Sequence, residues 1–112
     1  MSELVSVKVD HLEFDELQLT LVHSMASGIR RELEAANVNS DLAQELTMNL
    51  LFSITTILDG SQAMPESANG AYPFLTFSLN EEATELLATK HCTSMHAYAV
   101  GCAEDVFEIG GD

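Results

Sequence analysis

The stretch that decides the fold is residues 41–58, DLAQELTMNLLFSITTIL, the most apolar segment of the chain. Its large apolar side chains recur at helical spacing and cover more than one stripe: Leu42, Leu46, Leu50, Phe52, Ile54, Ile57 and Leu58. We expect Ser40 or Asp41 to cap this helix, and its polar edge is Asp41, Glu45 and Asn49. A helix this broadly apolar is typical of a core or a subunit interface.

The segment before this helix predicts a short strand and a first helix. Residues 3–9, ELVSVKV, alternate valine with polar side chains, the period-2 pattern of a strand. Asp10 or Asp15 is placed to cap a helix whose apolar positions recur every three or four residues. Those positions are Leu17, Leu21, Val22, Met25, Ile29 and Leu33. Asn37 is suited to the left-handed residue that follows a helix.

The segment after residues 41–58 predicts a loop, a strand and a helix. Residues 59–73, DGSQAMPESANGAYP, have the composition of a loop, and residues 74–79, FLTFSL, that of a second strand. Asn80 followed by acidic residues predicts a helix start, and the helix spans 81–109 as one helix or as two broken near Thr93. Its stripe would be Leu87, His91, Met95, Tyr98, Cys102, Val106 and Ile109.

These elements predict one domain over residues 1–112 with the order strand-helix-helix-strand-helix. The fold class is therefore α+β and helix-dominated, with a small two-stranded element in each subunit. Two strands alone are not a stable sheet in water, so they would pair under the helices or join a partner subunit's strands. The alternative is an all-α helical bundle with extended arms.

The charge balance excludes two classes of protein. The chain has 18 acidic and 4 basic residues, a net charge of −14, yet 46% of its residues are hydrophobic. Intrinsic disorder needs low hydrophobicity, and nucleic-acid binding through phosphate contacts needs a basic surface. Because a small domain this apolar would expose hydrophobic patches, we expect a homodimer.

The sequence also bears on location and on the state of the cysteines. No apolar run reaches the length of a membrane span, and the N-terminal residues lack the pattern of a signal peptide. We therefore expect a cytoplasmic protein without a membrane partner. Two cysteines, Cys92 and Cys102, make no disulfide framework and are expected to be thiols.

One cluster of residues has the chemistry of a soft-metal or thiol-dependent site. His91, Cys92 and His96 lie close together in the sequence, and on a helix Cys92 and His96 would share a face. Thiolate and imidazole ligands suit Zn²⁺ or Cu(I), so a zinc or copper cofactor is the alternative to a protein without cofactor. The spacing matches no established zinc signature.

The main functional hypothesis rests on the acidic residues. Nucleotide-binding, zinc-protease and EF-hand motifs are missing, so catalysis is disfavoured, although an enzyme with a pocket between subunits leaves no motif. We expect a homodimeric adaptor, regulator or antagonist that binds a basic protein partner. The candidate contacts are two acidic clusters and a loop tyrosine: Glu81, Glu82, Glu85, Glu104, Asp105, Glu108 and Tyr72.

Overall fold

In a computed structural model that describes residues 4–62, 64–89 and 95–110, three helices pack beside one small sheet. In chain order the elements are β1 (Ser6–Val9), α1 (His11–Ala35), α2 (Ser40–Leu58), β2 (Phe77–Ser78), β3 (Glu85–Ala88) and α3 (Ala99–Gly110). Short 3-10 turns lie at Glu66–Ala68 and Met95–Tyr98. The predicted fold class, helix-dominated α+β, is confirmed.

Local capping interactions set the ends of α1 and α2. The Asp10 side chain accepts a hydrogen bond from the Glu13 backbone N–H at 3.0 Å, one of the two predicted caps. Asn37 has a φ of 62°, the left-handed conformation predicted after the first helix. The cap of α2 is Asn39, which accepts from the Leu42 N–H, and not Ser40 or Asp41 as expected.

The sheet has three strands in the described part of the chain, where the sequence predicted two. Its order is β1-β3-β2, with β3 parallel to β1 and antiparallel to β2. Leu87 of β3 is fully buried, and the ring of Phe77, which pairs with Leu87 from β2, meets the ring of Phe14 of α1 edge to face at 5.2 Å. Three strands of the chain itself therefore pair in one sheet.

The predicted helix over 81–109 is wrong in its first half, because Asn80 begins a turn. The Asn80 side-chain oxygen accepts from the Thr84 N–H at 3.0 Å and the Glu85 N–H at 3.4 Å. Ala83 has a φ of 57°, which a helix does not allow. In helix caps and in turns alike, an Asn side chain accepts hydrogen bonds from the backbone N–H groups that follow it. The acidic residues after Asn80 therefore could not show whether Asn80 begins a helix or a turn.

The last helix, α3, is only 12 residues long. Met95, Cys102 and Val106 of the predicted stripe are buried, whereas Leu87 belongs to β3. His91 lies outside the described residues. No helix in the described ranges is long and apolar enough to cross a membrane.

Arg30 ties α1 to α3. Its guanidinium donates a hydrogen bond to the Val106 carbonyl, and it lies 5.0 Å from the centre of the Phe107 ring. The same guanidinium forms an ion pair with Glu34 at 3.0 Å. One of the few cations of this acidic chain is thus used to hold two helices together.

The face of α2 that packs on α1 and α3 is a narrow stripe of mostly small residues with a spacing of four: Ala43, Thr47, Leu51 and Thr55. The large apolar side chains lie outside this stripe and are each 38–46% exposed: Leu42, Leu50, Phe52, Ile54, Ile57 and Leu58. Of the two expectations for these side chains, a core or a subunit interface, they do not fill the core of the chain, and the subunit interface stays a prediction. Burying the exposed part of each of these side chains would contribute about 1 kcal/mol more to stability.

Two threonines of the buried stripe differ in their hydrogen bonding. The Thr55 hydroxyl donates to the Leu51 carbonyl at 2.8 Å, whereas the buried Thr47 hydroxyl has no partner among the described residues. Because an unsatisfied buried hydroxyl is costly, we predict that Thr47→Val raises the free energy of unfolding by about 1 kcal/mol. Urea denaturation followed by circular dichroism measures this change.

Thr55→Val is the matched control, since it makes the same change on the same stripe but removes a hydrogen bond that is present. Its expected effect ranges from neutral to about 1 kcal/mol of destabilisation. Equal shifts of both variants in the same direction would contradict the assignment of Thr47 as unsatisfied.

Candidate functional site

The C-terminal end of α2 carries a buried carboxylate, Asp59. Its side chain has no exposed surface, and its two oxygens accept hydrogen bonds from the Ser61 N–H at 2.9 Å and the His96 N–H at 3.1 Å. The His96 ring nitrogen Nδ1 lies 2.5 Å from the same carboxylate. Asp59 therefore joins the end of α2 to the turn that precedes α3.

The ring of His96 has three neighbouring side chains. Besides Asp59, the Ser61 hydroxyl lies 3.2 Å from Nδ1, and the Phe52 ring meets the imidazole edge to face at 5.9 Å. A serine–histidine–aspartate relay needs the serine and the aspartate on different ring nitrogens. Here both approach Nδ1, so this cluster orients and anchors His96 and does not activate Ser61.

The environment of Asp59 changes its acidity. Burial alone would raise the pKa of this carboxyl, but hydrogen bonds from Ser61 and His96 favour the ionised form more strongly. The net pKa is lower than the ordinary value of 3.8. Ionised Asp59 is therefore a structural group that stabilises the folded state at neutral pH.

Of the three predicted metal ligands, the structure describes only His96. His91 and Cys92 lie outside the described residues. Within the described ranges, no group of three or more His, Cys, Asp or Glu side chains is arranged to hold a metal ion. His96 has Asp59, not a second candidate ligand, at its Nδ1.

The thiol of Cys102 is buried between helices. Cys102 is 2% exposed, and burial, together with the charge of Asp105, raises the pKa of its thiol. Burial and the nearby Asp15 carboxylate also raise the pKa of the neighbouring Tyr98 hydroxyl. Since the thiolate is the nucleophile, this environment suits a core cysteine better than a reactive one.

The first predicted acidic cluster surrounds the turn between β2 and β3. Glu81 and Glu82 lie in this turn, Glu85 begins β3, and all three side chains are exposed. Glu85 pairs with Ser6 at the start of β1, so the cluster lies at the end of the sheet farthest from α1. The acids thus mark a turn at the sheet end, not the first turn of a helix.

The second predicted acidic cluster lies on α3. Glu104, Asp105 and Glu108 are exposed, as expected for the outer face of a helix. Asp105 lies beside residues 19–24 of α1, which are about 14–21 Å along the helix from Asp10, whereas the first cluster lies at the opposite end of β1 and β3. The structure therefore does not bring the two acidic clusters together.

Tyr72, the third predicted contact, is 67% exposed and lies over the end of α2. A Cβ atom added at Gly60 would be 3.2 Å from the Tyr72 ring and from the Pro73 carbonyl. Gly60 also has a φ of 78°. Glycine is therefore required here both by the backbone and by the approach of Tyr72.

Sequence reasoning missed the contact between Asp59 and His96, which are 37 residues apart. Asp59-Gly60 indicated only the end of a helix, and nothing local connects it with His96.

Comparisons of the chain with protein families, with curated proteins and with solved structures gave no match.

Replacing Asp59 by Asn tests the role of the buried carboxylate. We predict that Asp59→Asn lowers the free energy of unfolding at pH 7 by about 1–3 kcal/mol, because Asn cannot replace both acceptor oxygens. The pKa of Asp59 is depressed in the folded state, so its stabilisation is present above the unfolded pKa and is lost as the pH falls through the folded pKa. The difference between the variant and the wild type should therefore narrow below about pH 4.

The measurement is urea denaturation of both proteins from pH 2 to pH 7. Subtracting the free energy of unfolding of the variant from that of the wild type at each pH removes the contribution of the many other carboxylates. Glu45→Gln, at an exposed position of α2, is the control and should leave the stability nearly unchanged. A destabilisation by Asp59→Asn that is the same at every pH would contradict the role of ionised Asp59.

The accessibility of Cys102 can be tested in a Cys92→Ser variant, where it is the remaining thiol. We predict that the folded variant reacts with an aromatic disulfide reagent at least about 100-fold more slowly than the same protein in denaturant, because the thiol is buried and protonated. Absorbance of the released thiol measures the rate. Similar rates in both conditions would show that Cys102 is accessible.

Proposed function

We propose that this protein is a non-enzymatic binding protein that engages a basic protein partner through exposed carboxylates. The observation that carries the proposal is an acidic surface with little compensation. Among the described residues, Lys8 pairs with Glu13 at 2.9 Å and Arg30 with Glu34 at 3.0 Å. Two of the few cations are thus occupied locally, and Asp59 is the one buried carboxylate in the described ranges.

The physical consequence is a negative potential over most of the surface. Such a potential attracts basic partners and raises their association rate, while it repels nucleic acids and other acidic proteins. Salt screens this attraction, so binding should weaken as the ionic strength rises. An adaptor, a regulator or an antagonist of a basic protein would each use this property.

The cluster of Glu104, Asp105 and Glu108 is the favoured contact of the two. It lies on a regular helix, and Asp105 also lines a groove of about 260 Å³ between α1 and α3. The other lining residues are Leu19, Thr20, His23 and Ser24. A lysine or arginine of the partner can lay its apolar stem in such a groove while its charge meets Asp105.

The proposal includes the cytoplasmic location and the homodimeric state expected from the sequence. The proposed function involves no cofactor, because binding through carboxylates needs none. The zinc or copper alternative rests on His91, Cys92 and His96, and the described residues give no observation that favours it over binding.

The test begins with immobilised protein, a lysate of the source cell and elution with a salt gradient. We predict a basic protein that is released in stoichiometric amount at moderate salt. In titrations with that purified partner, the triple variant Glu104→Gln, Asp105→Asn, Glu108→Gln should bind about 3- to 160-fold more weakly at low salt, since exposed ion pairs contribute about 0.2–1 kcal/mol each. Its affinity should also depend less on salt.

The control variant is Asp41→Asn, Glu45→Gln, Glu66→Gln, which removes one aspartate and two glutamates from exposed positions that are not on α3. It has the same net charge as the test variant and should bind the partner almost as well as the wild type. Equal weakening by both variants would refute the α3 cluster as the contact. A column that retains no basic protein at any salt concentration would refute the proposed function.

A further inference from the structure

The outer face of α1 and α2 contains an open apolar groove of about 460 Å³. Met25, Ile29 and Leu33 of α1 form one wall, and Leu50 and Ile54 of α2 form the other. Leu50 and Ile54 are 45% and 38% exposed. The groove lies on the side where α2 presents its large apolar residues, about a quarter turn of the helix from the small residues of its buried stripe.

The apolar surface continues along α2 beyond the groove. Leu42 and Ile57 are 44% and 41% exposed, and with Leu46, Leu50 and Ile54 they form a row with steps of three and four residues. Such steps place side chains on one face of a helix. The row therefore runs along nearly the whole of α2.

This face is also nearly free of charge. Glu32 is the one charged residue that lines the groove. The acids of α2, Asp41 and Glu45, lie about a quarter turn of the helix from the line of the row. In a chain with a net charge of −14, a face without carboxylates is where two copies can approach with least repulsion.

We infer that this α1–α2 face is where a second copy of the chain docks, in a twofold homodimer with the α2 row of each copy in the groove of the other. The inference specifies the homodimeric part of the proposed function and does not depend on a basic partner. A basic partner would instead be attracted to the acidic faces, since this groove offers it one carboxylate.

The size of the face agrees with a second copy as the occupant. The 19 residues of α2 extend about 28 Å, and two adjacent helices about 10 Å wide give a face of about 560 Å² in projection. The accessible area of a corrugated helix surface exceeds its projection. A standard interface takes about 800 Å² from each partner, which this face can supply.

Sedimentation equilibrium over a range of protein concentrations tests the inference. The wild type should have a mass of twice 12.2 kDa, and Ile54→Asp should weaken the dimer at least about 100-fold, because it buries a carboxylate without a partner. Val100→Asp is the matched control, since Val100 is 43% exposed and lies on α3 outside the groove. That variant should dimerise like the wild type.

Leu50→Gln is a second, uncharged variant on the same face, and circular dichroism verifies that each variant is folded.

The salt dependence of association distinguishes this inference from the proposed function. Raising the salt concentration should strengthen the dimer, because it screens repulsion between two acidic chains, whereas it should weaken binding of a basic partner.

Three results would overturn the inference. A wild type that stays at 12.2 kDa at all concentrations would show that a second copy is not the occupant. A dimer that survives both Ile54→Asp and Leu50→Gln would place the interface elsewhere. A dimer that Val100→Asp breaks equally would show that added charge, and not this face, controls association.

Discussion

The constraint on which the structure depends is the close approach of α2 to α1 and α3. Three helices can share one core in so short a chain because α2 turns a stripe of mostly small side chains inward, with Leu51 as its single large member. Small side chains let helix axes come closer, and close packing is what a small core needs. The large apolar residues of α2 are therefore directed outward. The core and the open apolar face are two results of one packing arrangement.

The second feature that organises the molecule is the contact between Asp59 and His96. The Asp59 carboxylate lies where α2 ends, and it accepts hydrogen bonds from both the backbone and the ring of His96, in the turn that leads into α3. Backbone N–H groups and a carboxylate form strong, directional bonds when water is excluded. This contact fixes the start of α3, and with Arg30 near its other end it holds α3 at both ends.

The features that the sequence predicted are those whose causes are local. Asp10 and Asn37 act on residues within one turn, so the start and the end of α1 could be predicted. The segment after Asn80 could not, because β3 is stabilised by β1 from the other end of the chain. The orientation of α2 was also hidden, since a helix apolar on most sides does not show which side faces inward. For the candidate site, exposure of the acidic residues was predictable, whereas the pairing of Asp59 with His96 was not.

The strand order pairs β1 with β3, so the sheet joins segments that are far apart in the sequence, whereas α1 and α2 are adjacent in it. Ser6 contacts Thr84 across 78 positions of sequence, whereas four residues join α1 to α2. Closing the longer loop costs on the order of 2–3 kcal/mol more entropy than closing the shorter one. The hairpin of α1 and α2 is thus closed at the lower entropic cost, and β1 has no strand beside it until residues 85–88 of β3 have been synthesised. Until then, the backbone N–H and C=O groups of Val7 and Val9 lack the hydrogen-bonding partners that β3 supplies.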